Sequence, residues 1–596
     1  MKKMLDLIRE ELEKAFAACG YEEKYAKVTI SNRPDLCEYQ CNGALAAARQ
    51  YRKAPMAIAE EVCAAVGDSD MFAEITAAAP GFINMKAGGG FLSRYLNGMA
   101  ASPKLGCEET KEAETVMIDY GGANVAKPLH VGHLRSAIIG ESIKRLLRFK
   151  GHTVTGDVHL GDWGLQMGLI IAELKERQPE LVYFDGTYEG EYPEAAPFTI
   201  SELEEIYPFA NAKSKEDEAF KEEAKTATFE LQNGRRGYLA LWHHILNVSM
   251  ADLKRNYDNL NVTFDLWKKE SDAQPYIPDM VQYLKEEGYA HISQGALVVD
   301  VAEETDTKEV PPCMILKSDG ATLYNTTDLA TLVERRKLFD PDHIIYVVDK
   351  RQGLYFEQVF RCARKTKLVK DGMKLTFLGF GTMNGRDGKP FKTRDGGVMR
   401  LEHLMDEIHE AVYRKMKENR EVSEEEARQT AKIIGLAALK YGDLSNQAVK
   451  DYVFDIDRFT SFEGNTGPYI QYTIVRIKSI QKKYNERKEA EPGPEGAGAG
   501  NGTILPASTD CERALQLQLS KFIEMVDTAY EEIAPHRICQ YLYELSDAFN
   551  RFYHETRILA EEDRVRRASY LALLRLTKEA LVLGIDLLGF EAPERM

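Results

Sequence analysis

Residues 124–140 read NVAKPLHVGHLRSAIIG, and the fold turns on how this stretch is read. Immediately before it, TVMIDY (115–120) has the apolar character of a short strand. GGAN (121–124) is a turn whose glycines allow close backbone approach. Pro128 does not suit a helix interior but suits a helix start, so the spacing predicts a helix beginning near Leu129 to Gly132. A helix N-terminus presents free amide donors and a partial positive charge, which together bind phosphate. His130 and His133, three residues apart, share one face of that helix and can donate to the same phosphates. Gly132 lets a flat base or sugar approach the backbone, and Lys127 adds a full charge just upstream. The stretch therefore predicts a nucleoside-triphosphate site at the carboxyl end of the first strand, where open α/β sheets bind ligands. Two plainer readings of the histidines stand beside it: core residues, or a metal pair. A zinc site needs a third protein ligand, and the nearest candidate, His159, falls on another strand.

Outward from this stretch, strand-like and helix-like segments alternate to about residue 400. HTVTGDVHL, GALVVDV, CMILKSD, DHIIYVVD and KLTFLGFGTM read as further strands. Such alternation implies a mostly parallel sheet with helices on its faces. Residues 180–275 are richer in charge and read as inserted helices. Residues 1–112 read as helices with short strands. From residue 402 to 596 every long segment has helical periodicity, interrupted by the Pro- and Gly-rich EAEPGPEGAGAGNGTILPASTD. The expected organisation is an N-terminal α+β domain (1–112), a Rossmann-like α/β domain with a parallel sheet (113–401) and a C-terminal all-α bundle (402–596).

No apolar run approaches the roughly 18 residues that span a bilayer. MKKMLDLIREELEKAFAACG interleaves apolar residues with charges, as an amphipathic helix does and a secretion signal does not. The nine cysteines form no framework and read as reduced thiols, so the expected location is the cytoplasm. A net charge of −17 argues against a polyanion held by bulk charge, but local patches steer binding. Two stretches run against the average. Tyr469–Lys488 carries six basic residues and one acid, and Asp349–Lys370 carries seven and two. Each reads as a solvated helix face or as a track for an extended anionic partner.

HVGH (130–133) resembles the His-x-Gly-His signature of class I aminoacyl-tRNA synthetases. Its context is more specific. DYGGANVAKPLHVGHLRSAIIG, HLGDWGLQMG, LYNTTDLA, YVVDKRQ, KPFKTRDGG, NTGPYIQYTIVRIKSI and the terminal LLGFEAPERM resemble the arginyl-tRNA synthetase family, in order and over essentially the whole chain. CEYQCNGALAAARQ and GFINMK are similar to that family's N-terminal tRNA-binding domain. The resemblance implies activation of arginine by ATP and transfer of the arginyl group to the terminal ribose of tRNA(Arg). It assigns His130 and His133 as donors to the reacting phosphates and Gly132 to the adenosine. Mg2+ is expected with ATP, held mainly by phosphates and water. The family's second signature, Lys-Met-Ser-Lys-Ser, is absent. In its place stands GRDGKPFKTRDGG (385–397). The resemblance implies that Lys127 supplies the missing charge, with Lys389, Lys392 and Arg394 assisting. On residues alone the loop is equally a charged hairpin.

Arginine itself sets a stringent requirement. Its guanidinium is planar, with five donors and no acceptor, so recognition needs oxygens arranged around a plane. Tyr324 and Asp328 lie four apart and share a face if a helix begins at YNTTDLA; by spacing alone Asp328 is as readily a helix-start carboxylate. The resemblance places Tyr324, Asp328 and Gln352 in the arginine pocket, and Asp119 and Asn124 on the substrate's polar groups. No editing domain is expected, because a pocket left with unpaired polar groups rejects lysine by itself. The C-terminal bundle resembles an anticodon-binding domain, giving the basic helix a tRNA partner. Tyr469, Tyr472 and Tyr484 on it can stack on bases or pack in the core. A monomer is expected, without membrane association. The rivals are a small-molecule nucleotidyltransferase and a non-catalytic paralogue; length opposes the first and the intact HVGH opposes the second.

Overall fold

The runs expected around the signature form strands β1 (Thr115–Asp119), β2 (Thr153–Asp157), β3 (His343–Asp349) and β4 (Lys374–Phe380). They make one parallel sheet in the order β4-β3-β1-β2. Val116–Ile118 and Ile344–Val347 are buried throughout, as strands covered on both faces must be. The structure is a computed structural model and describes residues 1–127, 129–389, 399–417, 423–490 and 502–596.

Helix α1 (Val131–Phe149) leaves β1 and crosses to β2 on one side, while β3 pairs with the other side of β1. The chain therefore reverses direction across the sheet between β1 and β3, and a crevice opens at their carboxyl ends. Helix α2 (Leu165–Arg177) follows β2, α3 (Tyr324–Leu338) precedes β3, and α4 (Gly353–Lys365) joins β3 to β4. Helix α1 is buried on nearly all sides, so its charged residues carry partners. Arg135 meets Asp443 at 2.9 Å, and Lys144 meets Glu141 at 2.8 Å.

One expectation needs correction. GALVVDV and CMILKSD do not join the parallel sheet. Ala296–Val299 and Cys313–Leu316 form a separate antiparallel sheet with His291–Ser293. The cause is local. Gln294 and Gly295 both adopt positive φ, 49° and 82°, the two-residue hairpin turn that matches strand twist. A parallel pair needs a crossover of a dozen residues, which this turn does not provide. The sheet's inner residues, Leu297, Val299, Cys313 and Ile315, join the core formed with α3 and α4.

The chain divides into two compact units: residues 1–109 with 461–586 and 591–596, and residues 110–460 with 587–590. The second unit holds the parallel sheet, the inserted helices Ile200–Glu216, Glu218–Gln232 and Arg236–Asn259, and also α5 (Leu401–Lys417) and α6 (Glu424–Leu444). These units do not coincide with the spans 1–112, 113–401 and 402–596, because Arg135 ties α1 to α6 through Asp443. The first unit combines a four-stranded antiparallel sheet from residues 28–87 with helices that include α7 (Gly467–Ala490) and α8 (Pro535–Glu555). Within it Arg513 holds Glu38 and the carbonyl of Ala87.

Candidate active site

The signature folds into an unusual helix cap. His130 is the N-cap of α1, and its Nδ1 accepts the Gly132 amide at 2.9 Å. His133 reaches back, its Nδ1 accepting the His130 amide at 3.3 Å. The rings lie 3.9 Å apart between centroids. An imidazole nitrogen that accepts an amide proton carries none itself, so both rings are neutral with the proton on Nε2. Burial, then neighbouring Lys127, lowers the pKa of His130; burial, then His130 and Lys127, pushes His133 down to about 3. The cap thus presents two neutral N–H donors at the positive end of a helix. Gly132 is needed for a reason not seen in the sequence: a Cβ there would stand 2.6 Å from Cε1 of the folded-back His130 ring.

The rings border a cavity of about 500 Å³ at the crevice. Asp119, His130, Gly132, His133 and Gln352 all line it, with Gly121, Gly122 and the ends of β3 and β4. Ser136 fixes its floor, accepting from the Gly121 amide at 2.8 Å and donating to the Val347 carbonyl at 2.6 Å. Asp119 is held at 2.6 Å by Arg335, and Asp349 at 2.7 Å by Arg351.

Lys127 does not line this cavity. Its Nζ lies 4.6 Å over the ring of Tyr207, on an inserted helix. Lys389 is exposed on a turn closed by Gly385 donating to the Lys389 carbonyl at 2.8 Å. Lys392 and Arg394 lie outside the described residues. Beyond them the chain returns to the signature: Val131 donates to Met399 and Leu401 donates to Leu129, at 3.1 and 2.9 Å.

Beside the cavity, which Asp119 lines, gathers an acidic cluster of side chains. Tyr324 begins α3 and Asp328 follows one turn later, as the spacing predicts. Tyr355 of α4 donates to Asp328. Three segments extend the sheet edge here: residue 124 bridges to 161, and 160 to 269. They bring together Asn124, His159 and Glu270. The Asn124 amide oxygen approaches so closely that a Cβ at Gly161 would stand 2.1 Å from it. Burial pushes the Glu270 carboxyl up to about 7, against the pull of His159, with Asp162 and Asp328 adding repulsion. Burial also pushes Asp162 up to about 6 despite bonds from Ser271, and raises Asp328 despite Tyr355. Tyr324 is 74% exposed as a whole residue; partial desolvation, then Glu270, raises its hydroxyl.

Glu270, Asp162 and Tyr355 were not singled out in the sequence, and His159 only as a candidate metal ligand. Glu270 sits in the charged run KKESD, which reads as a solvated helix start, and only the pairing of distant segments brings it to Asp328. Asp119, Asp157 and His159 offer ligand atoms within 4.8 Å of one another. Arg335 already bridges the two carboxylates, at 2.6 and 2.8 Å, and fills the place of a cation.

The two basic stretches part company. In 349–370, Arg351, Arg361 and Lys370 are paired with Asp349, Asp306 and Asp342. On α7, Lys482, Lys483 and Arg487 stay exposed, while Tyr469 accepts from Asn550 of α8 at 2.9 Å.

A crevice at a parallel-sheet switch point, capped by a His-x-Gly-His helix start, fits a class I aminoacyl-tRNA synthetase. Residues 97–456 match the family model of the class I (R) tRNA synthetase catalytic domain. Residues 2–87 match the arginyl tRNA synthetase N-terminal domain, and 470–596 the DALR anticodon binding domain. The chain is 62% identical to the arginine–tRNA ligase of Agathobacter rectalis and 58% to that of Alkaliphilus oremlandii, in each case over 100% of both chains. The arginyl-tRNA synthetase structures of Plasmodium falciparum and Thermus thermophilus share the fold. Their TM-scores are 0.79 and 0.76 at 24% and 23% identity, over 100% and 99% of this chain and 100% of theirs. The chain belongs to the arginyl-tRNA synthetase family.

Proposed function

We infer that this protein is an arginine–tRNA ligase. It activates L-arginine with ATP to arginyl-adenylate, releasing diphosphate. It then passes the arginyl group to the 3′-terminal ribose of tRNA(Arg), releasing AMP. The observation that carries this reading is the acidic cluster built around Glu270 and Asp328 beside the histidine cap. Only a cationic amino acid relieves such a cluster, and only a planar one uses oxygens spread over several segments.

In the first step the arginine carboxylate attacks the α-phosphate, and negative charge builds on the phosphate oxygens. The Nε2–H groups of His130 and His133 are preset donors for that charge, each worth about 2.7–4 kcal/mol by analogy with oxyanion sites. Gly132, which carries no side chain, faces the nucleotide. Lys127 reaches the phosphates by swinging from Tyr207, and Lys389, Lys392 and Arg394 assist. Asp119 and Asn124 hold the substrate's amino end with Gln352, while Tyr324, Asp328 and Glu270 surround the guanidinium. No side chain acts as a covalent nucleophile; the work is positioning and electrostatics. Mg2+ accompanies ATP. The cavity's carboxylates, Asp119 and Asp349, are already paired with Arg335 and Arg351, so phosphate oxygens and water are the ion's ligands.

The exposed basic face of α7 is the track for the tRNA backbone. Among the described residues no helix is long and apolar enough to cross a membrane. The protein works as a cytoplasmic monomer.

The deciding experiment is arginine-dependent exchange of diphosphate into ATP, with and without tRNA(Arg), using lysine and cysteine as controls. Exchange with arginine and tRNA together supports the full reading. Exchange with arginine alone keeps the substrate and removes any requirement for tRNA in activation. No exchange from folded protein that binds tRNA would leave a non-catalytic paralogue.

A further inference from the structure

His159 lies in the acidic cluster, and neither spacing nor resemblance assigned it a role there. It follows the end of β2 in a left-handed backbone conformation, φ 36°, which a side chain with a Cβ adopts only at some cost. That conformation turns the imidazole into the cluster, where its side chain is 11% exposed. Both ring nitrogens are buried, and neither has a hydrogen-bond partner among the described residues. The nearest carboxylate oxygen, Asp157 Oδ2, is 3.8 Å from Nδ1, beyond hydrogen-bond range. A buried imidazole with two idle nitrogens is rare in a native protein and calls for a ligand.

The groups facing it come from every element around the cluster. Asp157 lies on β2, Asp119 on β1, Asp328 and Arg335 on α3, and Glu270 on the short helix Glu270–Ala273. Arg335 satisfies Asp119 and Asp157 from below. Glu270 and Asp328 remain for the substrate. Two carboxylates cover two edges of a guanidinium, and a third carboxylate would add repulsion to a pocket already strained by like charge. A neutral acceptor covers the third edge without that repulsion.

We propose that His159 is a specificity-determining residue that contacts the substrate guanidinium directly. Its Nε2 lone pair accepts one guanidinium N–H. The inference rests on this pocket being the arginine site. A lysine ammonium, three donors about one point, cannot reach Glu270, Asp328 and His159 together.

The test is steady-state aminoacylation by the full-length protein with tRNA(Arg), reading KM and kcat for arginine, KM for ATP, and the discrimination against lysine. His159→Ala is expected to raise the arginine KM about 10–100-fold and to weaken discrimination against lysine, with kcat and the ATP KM within about threefold. His159→Gln, which restores a neutral acceptor, is expected to recover most of the loss. A purely structural role would move both substrates and would not be rescued by glutamine. An arginine KM within twofold of the parent in His159→Ala overturns the proposal, as does an equal loss toward ATP, or a Gln variant no better than Ala. Glu270→Gln serves as the reference. If it raises the arginine KM and His159→Ala does not, only the role of His159 falls. If neither does, the pocket assignment falls with it.

Discussion

The two ends of the active cleft are driven toward neutrality from opposite sides by the same physical cause. At the nucleotide end, burial drives protons off His130 and His133. At the amino-acid end, burial drives protons onto Glu270, Asp162 and Asp328. Desolvation disfavours whichever form is charged, so both ends relax toward neutrality when empty. What differs is what each substrate restores. Polyphosphate asks the histidines only for hydrogen bonds, which the neutral rings already offer. A guanidinium asks the carboxyls for full charge, which they hold back until it arrives. The nucleotide end is ready before binding, and the amino-acid end is completed by it.

That contrast can be broken by experiment. The largest effect is expected at the amino-acid end. Asp328→Ala leaves a guanidinium without one of its charges and should lower kcat/KM for arginine on the order of 10³-fold, with little change in the ATP KM. An unchanged kcat/KM for arginine would remove Asp328 from the pocket. His133→Ala should act on the other axis, lowering kcat about 10²–10³-fold while the arginine KM stays near the parent value. A loss confined to KM would show that the ring only binds and does not assist the reacting phosphate.

The smallest and most specific effect is the pH dependence. Glu270 must ionise to pair with arginine, so kcat/KM for arginine should fall as pH drops through about 7, approaching tenfold per unit. The empty protein follows the opposite slope. The native carboxyl is raised from 4.5 to about 7, so native protein binds more protons than unfolded chain between those values. Stability is therefore fullest below 4.5 and is lost as pH rises to about 7. Glu270→Gln should raise Tm by a few degrees at pH 8 and lose that gain toward pH 5. Equal Tm shifts at both pH values would mean that Glu270 is not held out of its ordinary range.

The nucleotide end was legible in the sequence because it is local. Strand, turn, cap and helix lie within residues 115–149, so spacing alone placed His130, Gly132 and His133 together. Even there the reason for Gly132 was invisible, since it depends on which way one ring folds. The amino-acid end was half legible. Tyr324 and Asp328 share a helix, which spacing gave, but only the resemblance placed them in the arginine pocket. Glu270 and His159 arrive from segments more than 100 residues apart, paired at the sheet edge, and no periodicity reports such a pairing. The hairpin at 291–299 misled for the opposite reason. ALVV is buried at every position and therefore reads as a parallel strand, while the two turn residues that make it antiparallel carry the decisive signal. The spans of the units were obscured by α5 and α6, whose helical pattern says nothing of the partner they pack on.

The histidine cap has one more consequence, for life in a cell that contains transition metals. Two imidazoles 3.9 Å apart would ordinarily be an invitation to zinc or copper. Here each ring has committed its Nδ1 lone pair to a backbone amide. A metal at either Nε2 would force the ring proton onto Nδ1, donor against donor, and unfasten the first turn of α1. The same two bonds that aim the rings at phosphate therefore disfavour a metal at either Nε2.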